Sequence, residues 1–216
     1  MIQAFFFNTP IEDIYIGHQV AEIFKDKVYD KYFAGKKDLT IIEIGANIGI
    51  ASYYFSKYAK VVHAFEPAQE HFELLTKQIE FNQLKNVIPH QLAISNTDGE
   101  ADFFHLPNKT MYSLRPAQQI PQTGKETVKT IRLDTFFKEN NIEHVDFLKV
   151  DCEGSEADIL CGDGFQNIAD KIDMIFIEVH AWMNRNPEQL KEGLRMGGFK
   201  NIETIPNDAN LWIATK

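Results

Sequence analysis

Two glutamates and two glycines early in the chain have types and spacing that could form a ligand site. Residues 41–50 read IIEIGANIGI, an apolar run that carries Glu43 and then breaks into a turn with Gly45, Asn47 and Gly49. In the dinucleotide fingerprint G-x-G-x-x-G the middle glycine lets the backbone approach a pyrophosphate, whereas this chain has Asn47 there. A carboxylate directed at the turn would repel a pyrophosphate and favour an ammonium or sulfonium group. The pattern therefore predicts S-adenosyl-L-methionine rather than NAD.

A second acidic residue, Glu66, favours the same ligand. It ends the apolar run HAFEP, about twenty residues beyond the glycines, where a carboxylate can accept hydrogen bonds from both ribose hydroxyls. Each glutamate has a plainer interpretation as a solvated strand end or a helix-cap partner, and Asn47 as a turn residue. The residues expected to contact the cofactor are Glu43, Gly45, Ala46, Asn47, Gly49, Glu66, Pro67 and Ala93.

Four residues that can carry a proton follow two later apolar runs. Asp151 and Glu153 end VDFLKVDCEG, and Glu178 and His180 end IFIEVH. Alternation along a strand puts the members of each pair on one face, and ligands of open α/β sheets bind beyond the carboxyl ends of the strands. We therefore expect the four side chains to converge on one cleft as catalytic residues. His180 is the candidate base, because its unperturbed pKa lies nearest neutral pH.

Other interpretations of this group stay open. Glu153 and Glu156 begin a predicted helix, where carboxylates suit the helix dipole, and His180 could be a hydrogen-bonded structural residue. An Asp, a Glu and His180 could also hold a divalent ion, although their spacing selects no metal. Trp182 suits either a stacking surface for a sugar ring or a packed core position.

The elements that must position these residues follow an alternating pattern of strands and helices. Apolar β-type runs alternate with segments of helical period, which predicts a mostly parallel sheet covered on both faces. Residues 1–37 are expected to form an N-terminal extension with a packing helix, and residues 38–216 a single domain. The turn Asn96-Thr97-Asp98-Gly99 predicts a β-hairpin insertion after the third strand, and 206–208 a closing hairpin. The polar segment 107–127 is expected to be either a lid over the site or a disordered loop.

Composition excludes several classes of protein. A chain of 216 residues with 44% apolar content can bury one core. Its 22 Lys and Arg against 31 Asp and Glu give a formal charge of -9, which repels polyanions, so we expect no nucleic-acid partner. No apolar run approaches the roughly 20 residues that span a bilayer, and we expect a cytoplasmic protein with no membrane partner. Cys152 and Cys161 are too few for a disulfide framework and are interpreted as reduced thiols.

Six motifs, in order, resemble the FkbM-type S-adenosyl-methionine-dependent methyltransferases over roughly residues 38–182. They are IIEIGANIGIASYYF, VVHAFEPAQEHFELL, QLAISNTDGEADFF, IRLDTFF, VDFLKVDCEGSEADIL and IFIEVH. The resemblance implies a Rossmann-like, seven-stranded fold of the class I methyltransferase type. It also implies methyl transfer to a hydroxyl of a sugar, a glycan or a secondary metabolite. Cys152 stands where the resemblance suggests an aliphatic residue, a difference of packing.

Three alternatives to this function remain. An RNA or protein methyltransferase would be expected to carry a basic tract or an appended recognition domain, and neither is apparent. A non-catalytic adenosyl-ligand-binding protein would keep Glu43 and Glu66 without proton-handling groups in the cleft. An NAD-dependent oxidoreductase is disfavoured by Asn47 and Glu43. The acceptor, any metal requirement and the oligomeric state stay open.

Overall fold

The computed structural model describes residues 14–107, 112–116, 120–180, 187–206 and 208–216. The α-helices are α1 (Ile14–Val20), α2 (Asp30–Phe33), α3 (Ile50–Phe55), α4 (Gln69–Phe81), α5 (Leu133–Glu139), α6 (Glu156–Leu160), α7 (Asp163–Gln166) and α8 (Pro187–Met196). A π-helix covers Ala21–Lys25 and a 3-10 helix Ala169–Lys171. The strands are β1 (Leu39–Ile44), β2 (Ala59–Phe65), β3 (Val87–His90), β4 (Ala93–Ile94), β5 (Gly99–His105), β6 (Tyr112–Ser113), β7 (Gly124–Ile131), β8 (Phe147–Val150), β9 (Met174–Glu178), β10 (Asn201–Ile205) and β11 (Asp208–Thr215).

The larger sheet has seven strands in the order β10-β11-β9-β8-β1-β2-β3, which confirms the expected Rossmann-like sheet. From β3 to β9 every neighbouring pair is parallel, whereas β11 is antiparallel to both β9 and β10. The short connection at 206–207 explains this change of direction, because so short a turn can join only antiparallel strands. The five strands from β3 to β9 are thus parallel, and the edge formed by β11 and β10 is antiparallel. The antiparallel pairing of β10 with β11 confirms the predicted closing hairpin.

The central strand β1 is apolar on both faces because helices cover both. Ile41 and Ile42 are neighbours that point to opposite faces, and both are fully buried. Ile42 packs in a cluster with Leu148 and Ile175, and Ile41 in a second cluster with Phe147. Apolar cores therefore cover both faces of the sheet, and the carboxyl ends of its parallel strands remain open to a ligand.

The N-terminal segment packs on the second of these cores. Tyr29 lies with its ring centroid 4.8 Å from that of Phe176, and Phe33 4.9 Å from Phe147. The packing helix predicted here is broken into α1, the π-helix and α2. Lys27 has a φ of 58°, a left-handed conformation that interrupts the helix before α2.

The insertion after the third strand is larger than the predicted hairpin. It is a second sheet in the order β4-β7-β5-β6. Antiparallel pairing is present in the insertion, between β5 and β6 and between β5 and β7. The turn at 96–99 does not join a hairpin, however, because β7 lies between β4 and β5 and pairs with both. The chain passes from the large sheet to the second between β3 and β4. The predicted lid segment 107–127 contains β6 and the start of β7, and its residues 108–111 and 117–119 lie outside the described part of the chain.

Among the described residues, no helix has the length and apolar character needed to cross a membrane.

Candidate active site

A cavity of about 520 Å³ opens at the carboxyl ends of β1, β2, β8 and β9, where the sequence predicts ligand binding. Its lining comes from four places: the turns after these strands, helix α1 with the π-helix, the start of α4, and the second sheet. Of the predicted residues it is lined by Gly45, Asn47, Glu66, Pro67, Ala93, Asp151, Glu153, Glu178 and His180.

The turn after β1 requires a glycine at its first position. Gly45 has a φ of 79°, and a Cβ placed there would lie 1.7 Å from the carbonyl oxygen of Asp151. The backbone N–H of Gly45 donates to the carbonyl of Phe65 at 3.0 Å. The glycine thus lets the ends of β1 and β8 approach each other. Asn47 also has a positive φ, 51°, and its Oδ1 accepts from the N–H of Ile48 at 2.8 Å.

Glu66 joins the end of β2 to this turn. Its Oε2 accepts a hydrogen bond from the N–H of Asn47 and its Oε1 from the N–H of Ala68, both at 2.9 Å. Only 5% of the residue is exposed. Burial raises the pKa of Glu66 to about 7, although both backbone donors lower it. Each carboxylate oxygen has a second lone pair, so the side chain can still accept from ligand hydroxyls.

Glu43, which the sequence predicts to face the ligand, is absent from the described lining of the cavity. The alternation of β1 puts Glu43 on the same side as Ile41, toward α3, and the residue is 0% exposed. Its Oε2 accepts a hydrogen bond from the Ser52 hydroxyl at 2.5 Å. Burial raises the pKa of Glu43 to about 7, and the charge of Lys149 opposes that rise.

Two more predicted contacts of the turn lie behind the cavity wall. Ala46 is buried in the core, and Gly49 begins α3 with a φ of 90°. A Cβ at Gly49 would lie 2.8 Å from Leu75 Cδ1, so this glycine allows α3 and α4 to pack closely. Both positions shape the turn from within the fold, and neither appears in the described lining of the cavity.

The four predicted proton-handling residues do converge. His180 Nε2 lies 3.3 Å from Glu153 Oε2, 3.8 Å from Glu178 Oε1 and 3.9 Å from Asp151 Oδ1. Strand alternation explains only part of this, because β8 ends at Val150. Glu153 has a φ of 50°, and the turn that it forms brings its side chain back to the cluster.

Two buried partners of the cluster were not predicted as site residues. His180 Nδ1 lies 2.7 Å from Glu156 Oε1 and must donate a hydrogen bond to this carboxylate. The same oxygen accepts a hydrogen bond from the N–H of Gly154 at 2.9 Å. Lys149 Nζ donates to Asp151 Oδ2 at 2.9 Å and to the Gly45 carbonyl at 3.3 Å. A lysine inside the apolar strand FLKV was the signal for the second of these.

The surroundings of His180 do not favour it as the base. Burial by itself lowers the pKa of His180, but the hydrogen bond to Glu156 and the charge of Glu153 raise it to about 10. The imidazole of this arrangement therefore already carries a proton at neutral pH. The prediction that His180 accepts the acceptor's proton gains no support from this geometry.

The carboxyl groups around the histidine differ from one another. Burial raises the pKa of Glu153 to about 7, against the opposing charge of His180. The charge of Asp151, together with burial, raises the pKa of Glu178 to about 8. Burial raises the pKa of Asp151 as well, but Lys149 and His180 outweigh it, and the net pKa lies below the usual value. A hydrogen bond with Glu178 lowers the pKa of Asp151 further.

The second sheet and the N-terminal segment complete the cavity. The sequence predicts a part in the site only for 107–127, as a lid, and none for the N-terminal segment. Tyr112 lines it beside Phe103, with ring centroids 5.8 Å apart, and Ser113 Oγ donates to the Glu153 carbonyl at 2.7 Å. His18 and Glu22 line it from the N-terminal side. Trp182, predicted to be either a stacking surface or a packed core residue, lies outside the described residues.

Residues 43–203 match the family model described as the Methyltransferase FkbM domain. The chain belongs to the FkbM methyltransferase family. It is 31% identical over 161 residues to Methyltransferase 1 of Beauveria bassiana, covering 65% of this chain and 64% of that protein. It is 27% identical over 146 residues to the hexuronic acid methyltransferase AglP of Haloferax volcanii, covering 68% of this chain and 58% of that protein. The chain thus spans less than two thirds of the length of either relative.

Solved structures share the fold of this FkbM-family chain. The FkbM methyltransferase of Methylobacillus flagellatus has a TM-score of 0.55 at 14% identity, covering 83% of this chain and 44% of that one. A SAM-dependent methyltransferase of Aquifex aeolicus has a TM-score of 0.50 at 13% identity, covering 91% and 90%. At these identities the likeness is one of architecture.

Proposed function

We propose that this protein is an S-adenosyl-L-methionine-dependent O-methyltransferase whose acceptor is a hydroxyl of a sugar, a glycan or another small molecule. One observation carries the proposal. A single cavity is lined both by the turn that Gly45 and Glu66 build and by the proton-handling cluster around His180. The groups that would bind the methyl donor and those that can take a proton therefore line the same cavity, as methyl transfer to an alcohol requires.

The donor end suits an adenosyl ligand. Glu66 offers its remaining lone pairs to ribose hydroxyls, and the close approach at Gly45 leaves the turn free of side-chain bulk. Ala93, Ile94 and Phe103 give apolar walls against which a purine can pack. When bound, S-adenosyl-L-methionine supplies a methyl group on a sulfonium centre.

The acceptor end suits a hydroxyl group. Glu153 Oε2 is buried at the cavity, and no residue in the described part of the chain donates a hydrogen bond to it. An acceptor hydroxyl would supply the missing donor, and Glu153 would then take its proton during transfer. We assign the base role to Glu153, and to His180 and Asp151 the positioning of the carboxylates around it.

The charge of the cavity and one relative support a glycan or small molecule as acceptor. The lining includes five acidic residues, namely Glu22, Glu66, Asp151, Glu153 and Glu178. Their field opposes entry of a polyanion such as RNA. The Haloferax volcanii relative is a hexuronic acid methyltransferase, which supports a sugar acceptor here.

The test is methyl transfer from donor carrying an isotopically labelled methyl group to panels of glycans and small polyols, read by mass spectrometry. We expect labelled product with the parent protein. Glu153→Gln should lower turnover by about 10² to 10⁴ with donor affinity unchanged, because a positioned base is lost. Glu203→Gln, at an exposed position of β10, is the matched control. Label found only on RNA or protein, or full turnover in Glu153→Gln, would contradict the proposal.

A further inference from the structure

We propose that Asp151, Glu178 and His180 form a binding site for one divalent cation, with Mn²⁺ as the ion that fits best. The site lies in the same cavity and deepens the proposed function, on which its catalytic use rests. Binding of the ion itself requires neither donor nor acceptor, so it can be tested separately.

The three ligand atoms are close enough to share an ion. One atom from each side chain lies within 4.8 Å of the other two. His180 Nε2 is 3.8 Å from Glu178 Oε1 and 3.9 Å from Asp151 Oδ1. Around an ion with bonds of about 2.1 Å, neighbouring ligand atoms lie about 3 Å apart and opposite ones about 4.2 Å. The observed separations fall between these limits, so small side-chain rotations suffice.

The histidine is held in the orientation that metal ligands adopt. Its Nδ1 is fixed by Glu156, which is 2% exposed, and its Nε2 is directed at the carboxylates. A bound ion would take the place of the proton on Nε2, while Nδ1 would keep its own. A carboxylate on one nitrogen and a metal on the other is the usual arrangement of a metal-binding histidine. Glu156 would therefore be the outer partner that sets the tautomer, and not a ligand.

Asp151 divides its two oxygens between two partners. Lys149 Nζ bonds to Oδ2 at 2.9 Å, whereas Oδ1 is the oxygen that faces His180. The bond to the lysine therefore leaves Oδ1 of Asp151 available to bind an ion.

A separate observation concerns the oxygen of Glu153 that lies beside these three side chains. Glu153 Oε2 is buried and faces His180 Nε2 at 3.3 Å, yet it accepts no hydrogen bond within the ranges that the structure describes. A buried acceptor without a donor is costly. A water or hydroxyl held by an ion between the carboxylates would supply that donor.

The ligand set selects among ions. Carboxylate oxygens suit Mg²⁺, Ca²⁺ and Mn²⁺, and imidazole suits the transition metals, so Mn²⁺ satisfies both preferences. The described chain has a second His/Asp group, at His144, Asp146 and Asp173, on its surface. Because that group could bind Mn²⁺ weakly, the test uses a His144→Gln background.

The test is titration of the full chain with Mn²⁺ alone, followed by electron paramagnetic resonance of the free ion. We expect one ion per chain in the His144→Gln background. His180→Gln and Glu178→Gln should abolish that binding, and Glu156→Gln should weaken it about 10- to 100-fold, as loss of an outer partner does. Glu203→Gln should leave it unchanged.

Circular dichroism establishes that each variant is folded. Asp151→Asn would leave the buried Lys149 without its carboxylate partner and could unfold the protein. Replacement of Glu178 disturbs the fold less, because 39% of its side chain is exposed. Absence of Mn²⁺ binding in the His144→Gln protein would overturn the site, as would equal binding in the folded Glu178→Gln and His180→Gln variants. Equal affinity for Mg²⁺ and Mn²⁺ would overturn the role of His180 as a ligand. Failure of methyl transfer alongside Mn²⁺ binding would count against the proposed function only.

Discussion

Replacement of Glu66 tests the donor site at its best-defined side chain. In Glu66→Ala the turn loses two hydrogen bonds, at 2.9 Å each, and the ligand loses its acceptor for the ribose hydroxyls. Hydrogen bonds to a charged group contribute about 1.5 to 3 kcal/mol, so the affinity for S-adenosylhomocysteine should fall roughly 10- to 100-fold.

Stability should change less than affinity. The rise of the Glu66 pKa from 4.5 to about 7 corresponds to roughly 3 kcal/mol of unfavourable burial of the charged form. Removal of the carboxylate relieves this cost and offsets the two N–H groups left without their acceptor, at about 1 to 3 kcal/mol each. We therefore expect a melting temperature within a few degrees of the parent, with a large loss of binding.

The assay is titration calorimetry with S-adenosylhomocysteine across pH 5 to 9. Since the ionised carboxylate is the better acceptor, affinity of the parent should fall as pH drops through about 7, the folded-state pKa of Glu66. Glu66→Gln should lose that pH dependence, whereas Glu70→Ala, at an exposed position of α4, should keep both affinity and pH dependence. Equal affinity in Glu66→Ala and the parent would refute a ligand role for this residue.

Two further predictions concern stability. The folded-state pKa of Glu43, about 7, exceeds the ordinary 4.5, so the cost of burying the charged carboxylate is absent below pH 4.5, grows up to pH 7 and is complete above it. Glu43→Gln should therefore raise the free energy of unfolding by up to about 3 kcal/mol at pH 8 and leave it unchanged near pH 4. Urea unfolding measures both values, and a loss of stability at pH 8 would contradict this prediction. For Gly45, Gly45→Ala adds about 1 to 2 kcal/mol of backbone strain and a clash with Asp151, whereas Gly35→Ala, at a φ of 74° with open space around it, adds only the strain. Thermal denaturation should separate the two variants, and equal melting temperatures would mean that β1 and β8 relax around the new methyl group.

The sequence predicted well what depends on strand ends. Because β8 and β9 are parallel neighbours, residues at their carboxyl ends had to meet, and Asp151, Glu178 and His180 do. Glu66 lines the same cavity because β2 is a parallel neighbour of β1. The face to which a side chain points is harder to predict for a strand that is buried on both sides. Ile41 and Ile42 are equally apolar, so the sequence does not show that Glu43 points away from the cavity.

Other features depend on contacts between distant segments. Lys149 reads as a polar interruption of a strand until the carbonyl of Gly45 and the carboxylate of Asp151 are placed beside it. Glu156 suits a helix start equally well with or without a histidine from β9 nearby. The second sheet was missed because β4 is two residues long and pairs with β7, more than thirty residues later. Neither a short strand nor its distant partner leaves a local signal.

The donor assignment is tested most directly by ligand-dependent thermal unfolding. If the folded state alone binds, S-adenosylhomocysteine at a hundredfold over its dissociation constant adds about 2.7 kcal/mol. For a chain of 216 residues this raises the melting temperature by roughly 5 to 11 °C. We predict that rise with S-adenosylhomocysteine and none with NAD at the same concentration. A rise with NAD and none with S-adenosylhomocysteine would contradict the assignment of this cavity to a methyl donor.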